Sequence, residues 1–184
     1  MIKEFMFNRN PMLILSYLSK SVYGDNITSH VAKELSLGVG SVHSILKQFE
    51  ANGVVASKKV GKSVLYDVKR NNPMINAFRI FDNLLDLDGL ISDLKLHSRK
   101  IILFGSCASG RDTFQSDIDI FIIADEDEKD KILELINNYK LGREIKPIIV
   151  DMVEFISLEK DDAVFYKEIM KGIELWEVSN EQYR

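Results

Sequence analysis

The chain has 184 residues, 46% of them hydrophobic and 28% charged, enough for one large or two small soluble domains. No apolar run approaches the roughly 20 residues of a membrane span, and the opening MIKEF lacks an apolar secretory core. Cys107 is the one cysteine, which excludes an internal disulfide and a thiolate zinc cage, so a cytoplasmic setting is expected. The net charge of −4 is unevenly spread. Residues 1–72 hold ten basic and five acidic side chains, and the remainder holds 14 basic and 23 acidic ones. A basic half joined to an acidic half points to one part that meets a polyanion and another with different work.

Residues 10–20 read as a helix, with Asn10 as N-cap and Pro11 in the first turn. Residues 26–36 read as a second, on which Ile27, Val31 and Leu35 recur every four positions. A third follows Leu37-Gly38 and runs to about Asn52, carrying Val39, Val42, Leu46 and Phe49 on one face and stopped by Gly53. Residues 54–59 and 63–69 are two short strands joined at Gly61-Lys62. Asn71-Asn72-Pro73 marks a boundary. A helical stretch over 74–96 follows, with a bend expected near Asp88-Gly89. Then come an apolar strand at 100–104, a buried strand at 119–124, a helix over 128–139 and a strand at 144–150. Asp151 and Glu154 form a capping box for a last helix ending near Gly172, and residues 173–178 supply a final strand. The expected fold class is α+β. A domain over 1–72 leads through a helical linker over 73–97 to a mixed-sheet α/β domain over 98–184.

Three helices and a hairpin are the order of a winged helix-turn-helix. Residues 26–55, NITSHVAKELSLGVGSVHSILKQFEANGVV, resemble the bacterial and archaeal winged-helix regulators. That resemblance makes the third helix the recognition helix. Its apolar face turns inward, leaving Ser41, His43, Ser44 and Lys47 outward, where short polar side chains approach base edges and Lys47 meets a phosphate. Lys58, Lys59 and Lys62 fall on the wing, where ammonium groups suit backbone phosphates. DNA is the expected partner, bound weakly and with strong salt dependence. A docking or dimerising role for the module stays open, because winged helices often pair to read two half-sites.

The chemistry lies in residues 101–123, IILFGSCASGRDTFQSDIDIFII. An apolar strand delivers the chain to Gly105-Ser106. Glycine lets the backbone approach a ligand, the turn that follows aims N–H groups outward, and Ser106 adds a hydroxyl donor, a combination suited to phosphate. Asp117 and Asp119 bracket Ile118, so alternation sets both carboxylates on one face. Two hard carboxylates in an open site, completed by phosphate and water, suit Mg2+. Together the turn and the acids point to phosphoryl chemistry.

The pattern G-S-x-A-x-G followed by S-D-x-D, over roughly residues 98–178, resembles the DNA polymerase beta-like nucleotidyltransferase superfamily, most closely its minimal members. The resemblance implies transfer of a nucleoside monophosphate from an NTP, ATP in the first instance, with pyrophosphate leaving. Gly105 and Ser106, with Ser116 and Arg111, would then bind the nucleotide, and Asp117 and Asp119 would bind the metal. Ser109 stands where the family has arginine, and Arg111 is the replacement. Cys107 reads as a small filler. The family's third carboxylate, which activates the attacking hydroxyl, is Glu144 or Asp151. Glu144 is preferred because capping already accounts for Asp151, and because Gly-Arg-Glu before an apolar strand resembles archaeal proteins joining a winged helix to this domain. Minimal nucleotidyltransferases often act as antitoxins that modify a HEPN-type toxin, which makes such a protein a candidate partner. The competing function is a transcription regulator whose second domain senses nucleotide or dimerises without catalysis.

Overall fold

The computed structural model describes residues 9–21, 26–69 and 72–178; Asn71, in the expected break, and the opening MIKEF lie outside them. The chain forms two compact units, residues 1–82 and 83–184, which divide inside a long helix.

Among the described residues the first helix of the first unit is α1 (Asn10–Lys20), which buries Ile14 and Leu18, one turn apart. Asn10 is not its N-cap. Arg9 takes that extended position without a side-chain cap bond, and Asn10 is already helical. The Asn10 amide instead donates from Nδ2 to Ser41 Oγ at 3.2 Å. The second helix, α2 (Thr28–Glu34), is shorter than its periodicity predicts. Ile27 bridges to Leu65, and the Tyr66 N–H donates to the Asn26 carbonyl at 3.1 Å, so sheet pairing claims the residues before Thr28. At the other end Ser36 adopts a positive φ of 53° and stops the helix. α3 (Val39–Ala51) buries Val42 and Leu46 and ends at Gly53, whose φ of 70° favours glycine. β1 (Val55–Val60) and β2 (Ser63–Val68) pair antiparallel around Gly61-Lys62. Their inward residues Val55, Tyr66 and Val68 join the helices in one core.

α4 (Pro73–Leu94) runs uninterrupted through Asp88-Gly89. Its residues up to Asp82 belong to the first unit. There Asp82, fully buried, accepts from Lys20 Nζ at 2.7 Å and from Ser16 Oγ at 2.8 Å.

The second unit holds a four-stranded mixed sheet of β3 (Lys100–Leu103), β4 (Ile118–Ile123), β5 (Ile145–Val150) and β6 (Ile173–Glu177), in the order β5-β4-β3-β6. β3 pairs antiparallel with β4 and with β6, while β5 runs parallel to β4. One face carries Ile118, Ile120 and Ile122 against Leu87, Leu90 and Leu94 of α4 and against Ile132 and Ile136 of α6 (Lys129–Asn138). The other carries Ile102, Phe121 and Ile123 under Phe155, Leu158, Phe165 and Ile169. β3 leads into a single helical turn, α5 (Gly105–Ala108).

The last helical stretch is two helices, α7 (Met152–Asp161) and α8 (Ala163–Met170), and not one. The Asp151–Glu154 capping box is present, with reciprocal bonds of 2.8 Å. Asp162 then leaves helical geometry (φ −144°, ψ 76°), and its carboxylate accepts from the Phe165 N–H at 2.9 Å. An aspartate offers the backbone this alternative to a continuous helix, and here capping wins. Asp162→Ala should lower stability by about 1 kcal/mol in urea unfolding; an unchanged midpoint would count against the cap.

Candidate active site

Gly105 sits where β3 ends. Its φ is 69°, which strains any other residue, and a Cβ built on it would lie 2.6 Å from Asp119 Oδ2 and push that carboxylate aside. The preceding Phe104 N–H donates to the Asp119 carbonyl at 3.1 Å, which ties the turn to β4. After the α5 turn the Ser109 hydroxyl lies 3.1 Å from each of the Gly105 and Ser106 carbonyls and accepts from Arg111 Nε at 3.1 Å. The serine in the arginine position thus anchors Arg111. A cleft of about 170 Å³ beside the turn is lined by Gly105, Ser109, Arg111, Glu168 and Lys171. Lys171 was not singled out by sequence reasoning, since it lies about 60 residues from the motif and only the β3–β6 pairing brings it near.

Asp117 lies just before β4 and Asp119 within it, both half-buried. Burial and the like charge of Asp117 push the Asp119 carboxyl above its ordinary range, with Lys146 partly opposing them. Lys146 is the in-register partner of Asp119 on parallel β5, and its Nζ is 2.5 Å from Asp117 Oδ2. The bond to Asp117 holds its ammonium above the usual lysine range, aided by the charges of Asp117, Glu144 and Asp119. Lys146 was not singled out in the sequence, although alternation puts it on the face of Glu144. Its pairing with Asp119 depends on a strand register that periodicity does not disclose.

Glu144 is exposed, and its carbonyl accepts from the Ile118 N–H at 2.9 Å. Two residues before Lys146, it shares the face of the acidic pair. Asp151, seven residues further on and just past the end of β5, is engaged as the cap of α7. Among the described residues no three His, Cys, Asp or Glu side chains are grouped closely enough to hold a metal ion. Mg2+ fits nonetheless, because it is commonly held by one or two carboxylates with the remaining positions filled by water and substrate phosphates. The ammonium against Asp117 supports that fit, since the pair already attracts a cation.

The Ser116 hydroxyl accepts from the Thr113 N–H at 3.0 Å and closes the 113–116 turn. Cys107 is fully buried, in keeping with a filler. Arg143 also escaped the sequence, although it adjoins Glu144. Its guanidinium, 5% exposed, bonds Asp112 at 2.7 Å and Asn83 Oδ1 at 2.8 Å, and reaches the Thr113 carbonyl at 3.4 Å. Asp112 is fully buried. The cluster fixes the loop before β4 to the loop before β5, and with it the spacing of Asp117 and Glu144.

In the first unit Ser41, His43, Ser44 and Lys47 are exposed on α3, as are Lys58 and Lys59 on β1 and Lys62 in the hairpin turn. Lys47 Nζ is held by Glu50 at 2.9 Å, and Glu50 also accepts from Ser57 of β1, so this ammonium is already partnered.

A glycine turn closing one strand against paired carboxylates on the next, within a mixed sheet, is the arrangement of a nucleotidyl-transferring domain. Residues 90–181, half of the chain, match the family described as Polymerase beta, Nucleotidyltransferase, and the chain belongs to that family. No curated protein and no solved structure matches the chain. Among the described residues no helix is long and apolar enough to cross a membrane.

Arg143→Met leaves the buried Asp112 carboxylate without its counter-charge and should cost about 3–5 kcal/mol in urea unfolding. Asp119 gives a pH signature. A carboxyl whose folded pKa exceeds its unfolded one keeps its proton longer when folded, so stability falls as pH rises through that window and stays lowered at neutral pH. Asp119→Asn should therefore raise Tm at neutral pH in chelator-treated buffer. The gain should vanish in acid, below the ordinary carboxylate range.

Proposed function

We propose that the chain is a Mg2+-dependent nucleotidyltransferase that moves a nucleoside monophosphate from an NTP, ATP in the first instance, to an acceptor hydroxyl, with pyrophosphate as leaving group. The observation that carries this reading is the approach of Gly105 to Asp119, which joins a phosphate-suited turn to a cation-suited carboxylate pair. Asp117 and Asp119 would hold the metal, which would supply charge neutralisation for the phosphates of an in-line transfer. The Gly105-Ser106 backbone and the Ser106 hydroxyl hold the triphosphate. Arg111, anchored by Ser109, adds positive charge at the cleft beside it, where Lys171 is paired with Glu168 at 3.5 Å. Glu144 receives the acceptor's proton. Ser116 serves the nucleotide indirectly, by shaping the turn that carries Asp117.

The first unit supports a winged helix-turn-helix reading through its three helices, its hairpin and the Ile27–Leu65 bridge. In that reading α3 meets DNA through Ser41, His43 and Ser44, and Lys58, Lys59 and Lys62 meet phosphates. Lys47, held by Glu50, contributes less. Such binding weakens steeply with salt. The acceptor is a nucleic-acid end, a small molecule or a protein hydroxyl, a HEPN-type toxin among the last, and pairing of two winged helices gives a homodimer. A second reading, a regulator that senses nucleotide without catalysis, is favoured by the Lys146–Asp117 ion pair, which supplies counter-charge to the acids without a metal.

Incubation with an NTP labelled at the α-phosphate, Mg2+ and candidate acceptors tests the choice. Transfer should appear in the wild type and fall to background in Asp117→Ala and Asp119→Ala. Nucleotide binding without transfer to any acceptor, together with tight and salt-dependent binding to a DNA site, would move the protein to the regulator class.

A further inference from the structure

Lys146 takes no part in the transfer itself, yet it sits on the acidic face. Its Nζ is bonded to Asp117, its Cα partner across the strands is Asp119, and Glu144 adds to the attraction on its charge. We propose that Lys146 is a resident cation that occupies the carboxylate pair in the nucleotide-free protein and makes metal binding contingent on nucleotide. The inference rests on the reading of Asp117 and Asp119 as metal ligands.

A divalent ion arriving alone meets a pair whose charge is already partly neutralised, and it must bring its own charge beside an ammonium. Arriving with a triphosphate, it brings anionic oxygens to which the displaced ammonium can turn. The Lys146 side chain is 52% exposed and that of Asp117 38%, so their ion pair is screened by water and readily exchanged. A lysine suits this work better than an arginine buried in a fork of hydrogen bonds, because it is a point charge on a flexible stem. Metal and nucleotide then favour one another's binding, and the coupling passes through one side chain. The buried Arg143–Asp112 pair nearby, 5% and 0% exposed, has no such freedom.

The test uses the full chain with Mn2+ as a spin probe for Mg2+, titrated by electron paramagnetic resonance. Titrations are run with and without an NTP analogue whose α and β phosphates are joined by methylene, so that no transfer occurs. Lys146→Met should bind Mn2+ alone about tenfold more tightly than the wild type, the scale expected for removing one charge about 5 Å from a divalent ion in water. Lys146→Arg should stay near the wild type, and Lys146→Gln should follow the methionine variant. The analogue should tighten Mn2+ binding more in the wild type than in Lys146→Met, a change in coupling that a merely structural lysine would not produce. If the wild type binds Mn2+, loses it in Asp117→Asn, and is matched within about twofold by Lys146→Met in both conditions, the lysine role is overturned and the metal reading stands. If neither the wild type nor Lys146→Met takes up Mn2+ under either condition, both fall.

Discussion

Strand β4 has to satisfy two opposite environments with one alternating chain. Ile118, Ile120 and Ile122 point into the core formed with α4 and α6, and Phe121 and Ile123 point into the core beneath α7 and α8. Shifting β4 by one residue would exchange these faces and drive Asp119 into hydrocarbon. The register is therefore held by the burial of five large side chains, each worth about 1.5–3 kcal/mol, and the two acids ride on that commitment. They stand at the strand's start, where the phenylalanine face runs out toward solvent, and where Gly105, just past the end of β3, leaves room for a carboxylate.

Ion pairs serve two different purposes in this chain, and exposure separates them. Lys20–Asp82 is 4% and 0% exposed and is supported by Ser16. Removing one partner there breaks a buried charge pair, which costs far more than losing an exposed one. Lys146–Asp117 has water on both sides and carries no comparable structural weight. The first kind fixes α1 against α4. The second leaves the acidic face able to change partners, which suits a site whose ligands arrive and depart.

Much of the fold could be read from short-range rules. Gly53 and Gly61 stop a helix and turn a hairpin because their positive φ is cheap only for glycine, and the Asp151–Glu154 box announces α7 within four residues. Alternation around Ile118 was enough to set Asp117 and Asp119 together. What escaped was governed by distant or competing partners. α2 is short because β2, nearly 40 residues later, claims Asn26 and Ile27. The break at Asp162 comes from a carboxylate that can cap as readily as continue a helix. Lys146 acquires its meaning from the parallel register of β4 and β5, and Arg143 from Asp112, 31 residues away. Pattern within one segment cannot carry that information.

Arg143 has a consequence for how the second unit opens. Its guanidinium joins Asn83 on α4, Asp112 and Thr113 in the loop before β4, and its own loop before β5, and Asn83 in turn donates to the Cys107 carbonyl in the α5 turn. None of these segments can fray while the others stay closed without breaking a hydrogen bond to Arg143 or Asn83. The glycine turn, the carboxylate loop and the approach to Glu144 therefore form one cooperative unit, whose amides exchange with solvent by a shared opening event and not by independent loop motion.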